Sequence, residues 1–127
     1  MIYPWLAVAL GGAFGAVCRY AVASLWLVPT AGRIPLATIF VNLAGSALMG
    51  FSYYLIVERS YFNPEWRNLL MAGFLGAFTT FSTFALEALS LWQNQGHVLA
   101  VSYVFINVIG SLLCVFLGAE LAIKAFG

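Results

Sequence analysis

Four long apolar runs separated by short polar turns leave this chain few folds to choose from. They extend over about 4–27, 35–57, 64–92 and 98–124. A helix crosses the hydrocarbon core of a bilayer with about 20 residues, so each run is long enough to span. Only 7% of the 127 residues are charged, against about 25% in an ordinary soluble domain. So few charges cannot cover a water-facing surface, and lipid has to solvate most of the chain. The predicted fold is an all-α integral membrane protein: one four-span domain over 1–127, with no room for a second, soluble one.

The turns are marked by residues that stop or start helices. Pro4 suits a first helical turn, where its missing N–H is no loss, and Pro29 with Gly32 marks the first turn. Asn63-Pro64-Glu65 reads as a helix start, with Asn as cap, Pro first and Glu beside the positive end of the dipole. The segment 93–97 makes a polar turn. No Lys or Arg precedes the first run, so it lacks the charged start of a signal peptide and is expected to stay in the protein. Cys18 and Cys114 both fall inside apolar runs and are expected as small packing residues without a disulfide. Trp5, Trp26, Trp66 and Trp92 lie near run ends, where an interfacial aromatic belt sits.

Charge excludes some functions and suggests an assembly. The net charge is +1 with no basic cluster, so the footprint of a nucleic-acid-binding protein is missing. Four spans place Arg59, Arg67 and Lys124 on one side of the membrane, and Arg33 with nearby Arg19 on the other. Three against two is too even for the positive-inside rule to choose an orientation. A chain that inserts both ways can form an antiparallel, dual-topology homodimer, which lets so small a protein enclose a pathway.

The third run is the anomaly. As one helix, 64–92 would measure about 44 Å at 1.5 Å per residue, well beyond the roughly 30 Å core. At its middle Gly73 and Gly76 are followed by Thr79, Thr80, Ser82 and Thr83, interleaved with phenylalanines. Irregular backbone at membrane depth is tolerated only inside protein or beside a wet cavity. The tract predicts a break near Gly76–Thr80, which would free carbonyls for a cation. A tightly packed helix with hydroxyls bonded back to its own backbone fits the spacing equally well.

Two other runs carry polar stripes at helical spacing. Thr38, Asn42, Ser46 and Gly50 share one face of the second, and Tyr103, Asn107, Ser111 and Cys114 one face of the fourth. Either stripe fits a pathway wall or a helix–helix contact. Arg19 shares a face with Gly11 and Gly15; it either attracts anions at a vestibule or extends to the interface. Glu87, one turn after Thr83, can accept from hydroxyls, and Glu120 is expected at the interface.

Thr79-Thr80-Phe81-Ser82-Thr83-Phe84, led by Gly73-Phe74-Leu75-Gly76, resembles the signature of the CrcB/Fluc family of fluoride channels. Gly11-Gly12 through Gly15 to Arg19 resembles the family's first span, and Thr38 through Asn42 to Gly45 its second. Ala77 departs from the glycine pair common there. The resemblance covers essentially the whole chain. It implies a passive, fluoride-selective channel in the cell (inner or plasma) membrane, exporting fluoride from the cytoplasm. Phe81 and Phe84 would be the paired pore phenylalanines and Asn42 the pore asparagine. The hydroxyls of Thr38, Thr80, Ser82, Thr83, Tyr103 and Ser111, with Asn107, would line the path, and Arg19 and Glu87 its vestibule. Backbone carbonyls of Gly76 and Thr79 would hold a structural Na+ between antiparallel subunits.

The residues bear on three other functions. A proton-coupled multidrug exporter of the four-span type needs a titratable carboxylate, but the first run's one charge is Arg19, the wrong sign for cationic substrates. A structural subunit packed through Gly11 and Gly15 leaves the hydroxyl–phenylalanine tract unexplained. An enzyme is not expected, because His97 stands alone in a turn and no nucleophile–base pair or metal-ligand spacing occurs.

Overall fold

In the computed structural model, which describes residues 3–26 and 34–127, five helices make four candidate spans. Helix α1 is Tyr3–Leu25 and α2 is Leu36–Glu58. The third span, Pro64–Asn94, divides into α3 (64–78) and α4 (Ser82–Asn94), and α5 is His97–Phe126. The expected end of the first span at Leu27, the turn at Pro29 and Gly32, and Arg33 all lie outside the described residues.

Helix starts follow the local chemistry in part. Pro64 occupies the first turn of α3 with Glu65 beside it. Asn63 stands at the cap position, but its side chain makes no capping bond, so the expected side-chain cap is corrected. Two stretches wind wider than an α-helix, Tyr54–Glu58 at the end of α2 and Arg67–Leu75 within α3. The amide of Arg59 reaches Tyr54 O five residues back at 2.9 Å. No sequence pattern announced this π-type winding.

Glycines set the helix pairs. Helix α1 packs on α3, where a Cβ at Gly11 would strike the Leu69 carbonyl and one at Gly15 that of Phe74. Helix α2 packs on α5, where Gly50 lies on the Val115 backbone and Gly118 on that of Ala47. Small residues let helix backbones approach this closely in lipid, where packing has to replace the hydrophobic effect as the driving force. Most other apolar side chains, among them Phe14, Val17, Phe105, Phe116 and Leu117, point outward and stay exposed. The interior is narrow, with Tyr103, Leu75 and Val41 as its largest fully buried side chains.

At one end, Tyr61 Oη donates to Phe126 O at 3.1 Å, tying the loop after α2 to the end of α5. Both cysteines are free and half-buried.

Candidate functional site: a groove at the helix break

The third span is broken at 79–81, between α3 and α4. Gly76–Phe78 is still helical, and Thr79 turns extended at φ −79°, ψ 159°. The Thr79 amide and hydroxyl both donate to Leu75 O, at 3.1 and 3.0 Å. The next amide leaves the helix altogether: Thr80 N donates to Asn42 Oδ1 on α2 at 2.8 Å. Asn42 Nδ2 returns a bond to Thr80 O at 3.1 Å. After the break, Thr80 Oγ1 accepts from Thr83 N at 3.3 Å in the first turn of α4.

This rerouting bears on the carbonyls. Thr80 N would close the helical bond to Gly76 O, and Thr83 N the bond to Thr79 O; both amides have gone to side chains. The carbonyl of Ala77, between them, instead accepts from Arg19 Nε of α1 at 2.9 Å. Arg19 is half-buried and reaches inward to the break. Among the described residues no cluster of three His, Cys, Asp or Glu could ligate a metal. Backbone oxygens are ligands a hard cation prefers, and with those two amides bonded to side chains the chemistry of the Gly76 and Thr79 carbonyls is compatible with the sodium role that the family resemblance implies.

Beside the break lies a groove of about 370 Å³, lined on α2 by Asn42, Gly45, Ser46 and Met49, and at the break by Thr79, Thr80 and Phe81. Phe84 of α4 and Asn107 and Ser111 of α5 complete its polar and aromatic wall. Asn42 Nδ2 also donates to Asn107 Oδ1 at 3.0 Å, and Asn107 Nδ2 to Tyr103 O at 3.2 Å. The two polar stripes therefore face each other.

The phenylalanines meet edge to face but are not equivalent. Their centroids are 5.3 Å apart at 67°, with Phe84 6% exposed and Phe81 76% exposed. Phe84 also packs on the Tyr103 ring at 5.6 Å, and Tyr103 Oη donates to Glu87 Oε2 at 2.5 Å. Thr38 is buried one turn before Asn42.

A family model described as "CrcB-like protein, Camphor Resistance (CrcB)" matches residues 6–119. This chain belongs to the CrcB family. A relative from Saccharophagus degradans, named Fluoride-specific ion channel FluC, is 51% identical over 94% of this chain and 90% of its own. One of the same name from Hahella chejuensis is 47% identical over 90% of each chain. Another, from Methanococcus aeolicus, is 40% identical over 89% of each.

Within this CrcB chain, the groove brings together Asn42, Ser46, Thr79, Thr80, Phe81, Phe84, Asn107 and Ser111 among the residues singled out from sequence. Thr38, Tyr103 and Glu87 sit beside that set without lining the groove. Ser82 is exposed at the start of α4 and Thr83 is half-buried, and neither lines it. Sequence reasoning missed Met49, Val108, Leu112 and Val115 in the wall, which look like any lipid-facing residue. It also missed the contact of Gly45 with Thr79, where a Cβ would strike the Thr79 methyl; the small residue beside Asn42 was the available clue.

Proposed function

We propose that this chain is the subunit of a fluoride-specific ion channel whose pore wall is the groove at the helix break. One observation carries the reading: Asn42, Thr80, Phe81, Phe84 and Asn107 converge there, in a chain whose relatives bear that name. Fluoride is small and strongly hydrated, and a bare ion of its size in low dielectric costs tens of kcal/mol by the Born estimate. A passive path replaces its water with donors spread over several weak sites, so the ion can also leave. Ring edges are the positive part of the phenyl quadrupole and contribute on the order of 1 kcal/mol each. Amide and hydroxyl donors supply the larger share: those of Thr80, Asn107 and Ser111 in the groove, with Thr38, Ser82 and Thr83 along its approaches, while Tyr103, whose one proton goes to Glu87, backs the Phe84 ring. Arg19 and Glu87 set the charge at the vestibule.

The groove is open on one side and Phe81 is exposed, so a second chain closes the path. The assembly is an antiparallel homodimer, consistent with the even division of basic residues. The Gly76 and Thr79 carbonyls of each subunit would together offer four oxygens to a structural Na+, which supplies positive potential midway along an anion path. The whole chain, 1–127, acts as a single membrane domain. Fluoride enters a cell as its neutral acid and is trapped as the anion at cytoplasmic pH. A passive channel at negative membrane potential lets it out.

The test is efflux from liposomes holding the purified protein, with fluoride and chloride compared in sodium buffer. Rapid fluoride release with chloride retained is the expected result. Equal release of both ions, or none of fluoride, overturns the proposal.

A further inference from the structure

Thr79 is pinned at its amide and at its hydroxyl, and the handedness of threonine then decides where its methyl goes. Both groups donate to Leu75 O, one turn back, at 3.1 and 3.0 Å. A hydroxyl bonded to the carbonyl four residues back is a common resting place for this side chain on a helix. The Thr79 Cβ carries oxygen, methyl and hydrogen in a fixed order, and the three occupy staggered positions together. Holding Oγ1 on Leu75 O therefore leaves the methyl one direction, and it points at Gly45 of α2.

Gly45 is buried, and what it makes room for is a side chain. At Gly11, Gly15, Gly50 and Gly118 an added Cβ would collide with the backbone of a neighbouring helix. At Gly45 it would collide with Thr79 Cγ2, with Phe78 Cδ1 at 3.3 Å and Thr79 Cβ at 3.7 Å behind it. The Cβ contact is an ordinary one and the Phe78 ring has to give by only a few tenths of an ångström. The methyl is the main obstacle. The one staggered alternative that turns a hydrogen toward α2 takes Oγ1 off Leu75 O. Threonine at 79 can thus keep its hydroxyl bond only opposite a residue with no side chain.

The same face of α2 grips the next residue too. Asn42, three positions before Gly45, bonds both the amide and the carbonyl of Thr80. Gly45, Thr79 and Thr80 all line the groove, so where they sit sets the shape of its wall.

We propose that Gly45 is a positioning residue: a socket for the Thr79 methyl that locks the side chain in its hydroxyl-bonded rotamer and thereby seats the break in the groove wall. Rotamer and backbone are coupled. A Thr79 driven out of the socket shifts its own extended turn, φ −79°, ψ 159°, and carries the Thr80 amide away from Asn42. The socket stands on the geometry alone; its effect on ion flux rests on the fluoride reading above.

Exchanging sizes across the contact tests it on the full-length protein. Gly45→Ala fills the socket and should lower fluoride efflux from liposomes by about tenfold, and speed Thr80 amide exchange by about the same factor, as overpacked contacts do. Thr79→Ser keeps the hydroxyl and removes the methyl. In that background Gly45→Ala should change efflux and Thr80 exchange by no more than about twofold, a coupling of the size that residues in contact show. If Gly45→Ala alone does not fold, recovery of folded protein in the double variant is the same rescue. Efflux and exchange unchanged by Gly45→Ala alone overturn the socket, and so does a penalty of equal size, or failure to fold, in both backgrounds. Absence of fluoride efflux from the unsubstituted protein overturns the channel reading, and Thr80 exchange across the four chains then decides the socket by itself.

Discussion

Phe81 and Phe84 meet edge to face across one turn of chain, one ring open and the other enclosed. Phe84 is fixed by Tyr103 behind it, whereas Phe81 lines the groove and extends beyond the protomer. In the proposed dimer an exposed ring of this kind meets the partner, so each path is edged by aromatic groups of both subunits. Isoleucine fills similar space without a positive edge. Phe81→Ile and Phe84→Ile should each lower fluoride efflux from liposomes by roughly fivefold or more, the equivalent of about 1 kcal/mol per ring edge. Phe84→Ile should also lower the melting temperature, because its ring is buried, and Phe81→Ile should not. Undiminished flux in both variants removes the rings from the path.

The rerouted amides of Thr80 and Thr83 make a sodium dependence testable. Replacing sodium with a large organic cation during purification should reduce the dimer fraction on size-exclusion chromatography and slow fluoride efflux. Gly76→Ala adds a separate handle. A Cβ at Gly76 meets only Met71 O, at 3.5 Å, an ordinary contact, so the protomer has no need of glycine there. The variant should keep its helical content and lose dimer stability. A dimer fraction indifferent to both changes would remove the carbonyl cage.

The glycine contacts between α2 and α5 predict where the bundle is least forgiving. An added Cβ at Gly118 collides with the Ala47 backbone, which cannot move aside as a side chain can. Gly118→Ala should destabilise the protein by about 1–3 kcal/mol, as overpacking does, seen as a lower melting temperature in detergent. Gly12→Ala is the control: its nearest neighbour is Gly73 O at 3.9 Å, and its melting should stay close to that of the unaltered chain.

Tyr103 and Glu87 are joined across α5 and α4. Tyr103→Phe leaves a half-buried carboxylate without its donor and should lower stability by about 0.6–2 kcal/mol, the usual size of such a bond in a membrane. Glu87→Gln keeps an acceptor without the charge and should lose less. Equal melting of Tyr103→Phe and the unaltered chain would show that the bond contributes nothing.

Residence in the membrane, the number of spans and the approximate site of the break were all legible in the sequence. Each depends on local properties: run length, charge content, and hydroxyls and glycines gathered at mid-span. The break was expected near Gly76–Thr80 and is observed at 79–81, because the helix persists until an amide finds an acceptor outside it. That acceptor belongs to Asn42, which the sequence marked as polar at mid-span without showing what it would hold. The wide winding of 67–75 had no local signature, and the side-chain cap expected of Asn63 did not form.

What only the tertiary structure decided is which groups pair. Asn42 with Thr80, Asn42 with Asn107 and Arg19 with Ala77 join residues 38, 65 and 58 positions apart. Helix packing through Gly11, Gly15, Gly50 and Gly118 sets those distances. A sequence shows which side chains can donate and accept at membrane depth, since that follows from residue type and helical period. It does not show which donors are already spent, because that depends on how closely separate helices are allowed to approach.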